Sequence, residues 1–398
     1  MKKKIVLIFS SFILSIAAVE FFFQANSKYH FINTFSVKYD SMNKQVFFKS
    51  IPHNIITETN IAYKHFPEVE QTLFDKLNAM TQLNVRTFDP QMPSSYIKRN
   101  LSHNKNYLLR DKSYNPKLDR IIFDASYTMT AEGYRSVPFQ KLSDIRKNII
   151  LVGCSLTFGT GVNDNQTIAH FLKKSLPNYN VINLGIPSGG INDSIDDILL
   201  RKRFQRINSN GGAVIYSFIP HHIERTLCKF ECYRRAEDWI LTKNNYTFEQ
   251  NGNLLNLGTF KDSRSKLHNF TYHFLALSET LKFFSYKSTQ IPYSDEQITF
   301  AKYLKFLSLE YKKKKLDFYF FTLYPEFLSQ AFYDKLAEYG IQNISYSLHG
   351  LPTALQNKIT IPGDGHYTEV GNYLISSLFT ENLKEEEKNM KTLLDLSN

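Results

Sequence analysis

From residue 148 onward the chain alternates short apolar runs with amphipathic ones, and this restricts it to a mainly parallel sheet built from βα units. The runs that predict strands are 148–152, 180–184, 213–218, 316–322 and 358–361. Helical spacing falls over 166–175, 192–204, 294–312, 325–339 and 368–383. Parallel neighbours need a crossover, so helices must cover both sheet faces, which makes a three-layer α/β/α sandwich. The first strand stops abruptly. In Asn148-Ile-Ile-Leu-Val-Gly-Cys154-Ser155-Leu-Thr-Phe-Gly159 an apolar run turns polar at Ser155.

The N-terminal third has another texture. Met1-Lys-Lys-Lys4 precedes residues 5–23, a stretch whose only ionisable group is Glu20. As a helix it would span roughly 28 Å, near the hydrocarbon thickness of a bilayer. Residues 1–24 therefore read as a transmembrane anchor with the lysines cytoplasmic and the bulk of the chain on the extracytoplasmic side. The alternative is a cleaved signal peptide cut near Ala17-Ala18 that leaves a secreted protein. Residues 25–143 are aromatic, polar and weakly periodic: a helix over 66–80, with loops and short strands leading into the core. The main domain is expected over 144–385, with an aromatic insertion at about 225–292 forming a helical or hairpin lid, and 386–398 as a charged, frayed tail.

The formal net charge of +11 is dispersed, with no dense basic block beyond the start and Lys312 to Lys315, so nucleic-acid binding is not expected. Of three cysteines, Cys228 and Cys232 are close enough to bridge, though a four-residue step also suits two free thiols. No further Cys or His stands at zinc-ligand spacing near them, and neither a metal nor a cofactor is expected.

Ligands of open parallel sheets bind beyond the carboxyl ends of the strands. Four loops fall there. The first holds Ser155. It also contains Gly159 and Gly161, but lacks the Gly-Lys-Ser/Thr ending of a phosphate-cradling loop. In the second, Asn183-Leu-Gly185, the glycine can present its N–H to a developing oxyanion. The third, Pro220-His221-His222-Ile-Glu-Arg225, offers two imidazoles and a cation for an anionic substrate; a helix-capping histidine pair and an Arg225–Glu224 pair are the plainer readings. The last, Gly363-Asp364-Gly-His366-Tyr-Thr-Glu-Val-Gly371-Asn372, supplies a carboxylate and an imidazole. Serine, aspartate and histidine together are the minimum set for nucleophilic acyl transfer.

In this order the four loops resemble the SGNH/GDSL family of serine esterases over roughly residues 145–383. The resemblance implies a flavodoxin-like sheet, Ser155 as nucleophile, and Asp364 and His366 as its partners. It also implies an oxyanion hole of the Ser155 N–H, Gly185 and a side chain from His221 or His222. Cys154 replaces the aspartate usual before the serine, the third loop lacks the usual Asn, and the Asp-to-His step is two residues. The expected function is Ser-His-Asp hydrolysis of an O-acyl ester on a small molecule, or on a cell-envelope glycan or lipid beside the membrane to which the N-terminal helix tethers the chain. Alternatives are an O-acyltransferase with the same triad, and a catalytically weak binding or assembly factor on the same fold.

Overall fold

The computed structural model describes residues 49–65, 107–115, 120–207, 210–228, 238–276, 294–362 and 364–397. The expected anchor (1–24) and the helix expected at 66–80 lie outside the described residues. Among the described residues no helix is long and apolar enough to cross a membrane. The chain divides into two compact units, 47–223 with 294–398, and 1–46 with 224–293.

The first unit begins with strand β1 (Lys49–Ser50) and helix α1 (His53–His65), then an antiparallel hairpin of β2 (Tyr107–Asn115) and β3 (Arg120–Met129). Next come β4 (Asn148–Gly153), α2 (Ser155–Phe158), α3 (Ile168–Ser175), β5 (Asn180–Asn183), α4 (Ile191–Leu199) and β6 (Gly212–Ser217). After α5 (His221–Leu227) the second unit supplies α6 (Asp238–Leu241), β7 (Asn244–Phe248), β8 (Leu254–Thr259), α7 (Phe260–Ser263) and α8 (Lys266–Ala276). The first unit resumes with α9 (Ser294–Lys312), β9 (Leu316–Phe321), α10 (Gln330–Glu338), β10 (Gln342–Asn343), β11 (Tyr346–Ser347), α11 (Thr353–Ile359) and α12 (Glu369–Ser397).

Five parallel strands form the central sheet in the order β10-β9-β6-β4-β5. Counted along the chain this is the doubly wound order 2-1-3-4-5, whose crevice opens where the winding reverses, between β4 and β6. Both faces are covered, and every residue of β4 is buried. Ile149, Leu151, Ala213, Ile215 and Phe321 pack with Leu172 of α3 and Leu374, Ile375, Leu378 and Phe379 of α12. The opposite face is aromatic: Tyr216 lies 6.2 Å from Phe300 of α9, Phe318 stacks on Tyr311 at 5.7 Å, and Phe320 meets Phe332 of α10 at 5.3 Å. Fully burying one such ring contributes roughly 1.5–3 kcal/mol, so this layer holds the sheet as firmly as the aliphatic one.

Three expectations need correction. Residues 358–361 are not a strand: α11 runs to Ile359, Thr360 makes only an isolated bridge to Tyr367, and the sheet's last strand is β10. The tail does not fray at 386. Its Glu/Lys-rich sequence holds no Gly or Pro between Asn372 and Ser397, and α12 runs through it. The weakly periodic N-terminal region carries an antiparallel pair of nine- and ten-residue strands with one register shift at Ser113/Tyr114. It continues onto the sheet edge, because Arg135 bridges both Met129 and Asn183.

In the second unit β7 and β8 pair antiparallel about Asn251-Gly252-Asn253. Gly252 has φ 84°, and the Asn253 N–H donates to Asn251 Oδ1 at 2.8 Å, the local bond that makes asparagine a turn former. The 225–292 segment thus contains an antiparallel hairpin. Cys228 is disulfide-bonded, while Cys232 lies outside the described residues.

Candidate active site

Ser155 is the first residue of α2, directly after β4, with Cys154 at the N-cap in an extended conformation. The strand-to-helix change takes two residues because Gly153 has no side chain. A Cβ there would press on Thr157 and sit 2.9 Å from Ser217 O. The turn ends on Gly159, left-handed at φ 87°. As the first helical residue, Ser155 has a backbone N–H without an intrahelical acceptor.

The histidine loop is fixed with equal economy. Ile361 N donates to His366 O at 2.7 Å, Asp364 N to Ile361 O at 3.1 Å, and Thr368 N to Ile359 O at 2.8 Å. Gly365 between the two functional residues has φ 91°, a conformation that favours glycine. Two side chains clamp this loop's helix to the serine's loop across the chain. Gln166 Nε2 donates to Glu369 Oε2 at 2.9 Å, and the fully buried Asn372 donates through Nδ2 to Gln166 O at 3.0 Å.

The result is a connected line of three side chains. His366 Nε2 lies 2.8 Å from Ser155 Oγ, and His366 Nδ1 is hydrogen-bonded to Asp364 Oδ1, which also accepts the His366 backbone N–H at 3.2 Å. Burial alone would raise the Asp364 pKa. The hydrogen bonds and the charge of His366 outweigh it and hold the carboxyl below its ordinary value, so Asp364 is an anion at neutral pH. An ionised Asp364 fixes the tautomer with the proton on Nδ1 and leaves Nε2 free to accept from the serine.

The other expected site residues stand differently. The Gly185 N–H donates to Asn183 Oδ1 at 3.0 Å and is not presented to the serine. Gly185 instead allows close packing: a Cβ would come within 2.8 Å of Phe158 Cα and Thr157 C, the backbone of the Ser155 turn. His222 is fully buried, its Nδ1 3.0 Å from Tyr216 Oη and its ring edge-on to Phe218. It belongs to the aromatic layer behind β6, which corrects its expected place at an oxyanion. His221 is exposed at the head of α5. Arg225 belongs to the second unit and Ser155 to the first. Of the expected donors, the Ser155 N–H is the one positioned by α2 itself.

Three residues that sequence reasoning did not single out support the site. Asn183 donates to Thr157 O at 3.0 Å and Phe158 O at 3.3 Å, tying the edge strand to the Ser155 turn. Arg135, 1% exposed, reaches Asp164 Oδ1 (3.0 Å), Phe158 O (2.9 Å), Gly159 O (2.6 Å) and Val162 O (2.7 Å), and its guanidinium lies 4.5 Å over the Tyr127 ring. Asp111 of the hairpin is buried and accepts from Tyr127 Oη at 2.8 Å, and Tyr127 Oη in turn accepts from Gly161 N at 3.0 Å. Burial raises the Asp111 pKa; the Tyr127 bond and the positive charge of His366 oppose the rise, and Asp364 adds to it. Asp111 is thus a second carboxyl within electrostatic reach of the pair. Each of the three acts across at least 16 residues of chain, which short-range patterns do not register.

No family model and no curated protein matches the chain. Solved structures to which it is similar include the lipase/acylhydrolase from Enterococcus faecalis (13% identity, 60% of this chain and 96% of that one, TM-score 0.34). Others are a member of the lipolytic G-D-S-L family from Veillonella parvula (13%, 59% and 97%, 0.30) and a psychrotrophic esterase from a Pseudoalteromonas species (8%, 61% and 99%, 0.35). At such identities and TM-scores the likenesses decide nothing about chemistry, which has to be read from this chain's own side chains.

Proposed function

We propose that the protein is a serine hydrolase of O-acyl esters, of the SGNH type, with Ser155 as nucleophile, His366 as general base and acid, and Asp364 as the carboxylate that orients it. The supporting observation is the continuous line from Ser155 Oγ through the His366 ring to Asp364 at the sheet's switch point. His366 Nε2 takes the hydroxyl proton as Ser155 Oγ attacks the ester carbonyl. The charge on the carbonyl oxygen is met by the Ser155 N–H, backed by the first turn of α2. His366 then returns the proton to the leaving alcohol. Water, activated by the same imidazole, releases the acid and regenerates the serine.

One oxyanion donor is worth roughly 10²–10³ in rate, so engagement of the Gly185 N–H with Asn183 favours a slow enzyme. The substrate proposed is an acyl ester of a cell-envelope glycan or lipid, with the chain tethered through residues 1–24 on the extracytoplasmic side. Hydrolysis of a short-chain aryl ester by the full chain tests the reading. Turnover should be slow, saturable and abolished in Ser155→Ala. Equal turnover in that variant would remove Ser155 from the chemistry.

A further inference from the structure

We propose that the loop 139–147, together with Lys173 of α3, is a docking surface for an anionic phospholipid bilayer. The loop leads into the amino end of β4 and is held firmly. The Gln140 side chain pairs with the edge of β5 as a strand would, donating to Val181 O and accepting from Val181 N, both at 2.7 Å. The Asn180 side chain does the same for the next turn, accepting from Ser143 N at 3.0 Å and donating to Ser143 O at 2.7 Å.

From this rigid base the apolar side chains point outward. Phe139 is 98% exposed, Ile145 88% and Leu142 49%. Phe139 is also left-handed, at φ 59°, a strained state for a bulky side chain that persists only where its surroundings impose it. A phenyl ring held almost wholly in water on a strained backbone does nothing for folding.

Its neighbours identify what would cover it. Lys141, Arg146 and Lys173 flank the apolar group, with Lys147 next in the chain, against one exposed carboxylate of the loop, Asp144, a local excess of three positive charges (four minus one). Lys141, Arg146 and Lys173 line a shallow basin of about 510 Å³ between them, room for a phosphate headgroup. Lys173 Nζ donates to Pro177 O at 2.8 Å and Tyr179 O at 2.7 Å, which fixes the ammonium and leaves its third N–H for an anion; burial and the neighbouring Arg146 charge lower its pKa. Basic and apolar side chains interleaved on one face are what an anionic interface binds: cations meet headgroups while apolar groups enter the acyl boundary. A soluble polyanion would use the cations and leave Phe139 and Ile145 in water. Strand β4 separates this loop from Ser155, so a docked domain would hold the serine roughly 20 Å away, at the carboxyl end of the strands.

The test uses the full chain with an environment-sensitive fluorophore on Ile145→Cys. The parent chain, carried through the same labelling, controls for its own three cysteines, of which Cys154 is buried and Cys228 disulfide-bonded. A probe at 145 reports contact of this loop itself, whatever residues 1–24 do. Phosphatidylcholine vesicles containing phosphatidylglycerol should shift its emission to the blue, and high salt should reverse the shift. Pure phosphatidylcholine should leave it unchanged, as should any vesicle with the probe at Leu309→Cys on α9. Adding Phe139→Ser and Lys141→Glu to the labelled chain should abolish the shift. An unshifted probe with anionic vesicles would overturn the proposal. So would an equal shift with soluble polyphosphate, which would make the surface a polyanion site.

Discussion

Arg135 offers the sharpest test of how the nucleophile turn is held. Replacing it with Met keeps an unbranched stem between Tyr127 and Phe158 but removes the guanidinium. Most acceptors retain something: Phe158 O still receives Asn183 Nδ2 at 3.3 Å, Gly159 O receives Val162 N at 3.4 Å, and Asp164 keeps the Thr128 N–H at 3.0 Å. Val162 O loses most, and an unsatisfied carbonyl costs about 1–3 kcal/mol. The Asp164 carboxylate, only 18% exposed, also loses its cation, and breaking such a pair by removing one partner costs about 3–5 kcal/mol. These terms overlap, so the expected loss is about 4 kcal/mol, a large part of the ~5–15 kcal/mol that stabilises an ordinary domain. Arg135→Lys should recover only part of it, because an ammonium cannot span four acceptors set around a planar fork. Denaturant unfolding gives the energy, and the rate at which a fluorophosphonate modifies the serine reads the turn's geometry. Arg135→Met within about 1 kcal/mol of the parent, or destabilised as expected but with Ser155 equally reactive, would refute the positioning role.

Further outcomes follow from the same contacts. Asp364→Asn should lower kcat by up to about 10⁴ with little change in fold, because the amide favours the wrong imidazole tautomer; kinetics and thermal unfolding on one sample separate the two effects. Asp364 is depressed in the folded state, so its contribution to stability is complete above the ordinary carboxylate pKa and is lost as pH falls through its lower folded value. Asp111 has the opposite sign. Its folded pKa is raised, so its ionisation costs stability as pH rises through that value, and Asp111→Asn should gain more over the parent in Tm at neutral pH than in acid. Gly185→Ala should lower both stability and activity, because its Cβ would push into the backbone of Thr157 and Phe158; an unperturbed variant would show that the turn can yield.

What could be read in the sequence was whatever depends on near neighbours. The apolar run of β4 ends at Gly153 because a buried strand must stop where polar atoms begin, and Ser155, half-buried, follows directly after it. The spacing of α9 located both its ends without help from its partners. Asp364 and His366 were legible as a pair because a two-residue step through a glycine makes a turn. What was not legible depends on chain brought from afar. Nothing around Arg135 marks it as buried, since its four acceptors come from 158–164. Asp111 looks like one charge among many until the hairpin closes over it. His222 follows a strand as a site residue would, yet the aromatic layer of Tyr216, Phe218 and Phe300 claims it. Gly185 was singled out for its N–H, and the local Asn183 side chain took that N–H instead.

The central claim is that Ser155 is an activated nucleophile because His366 stands beside it. Intact-mass and peptide mapping of the full chain after exposure to a fluorophosphonate tests this most directly. One adduct is expected, on Ser155, and it should all but disappear in His366→Ala, where the serine is still present but no base accepts its proton. No adduct on the parent, or equal labelling of Ser155 in both proteins, would contradict the account.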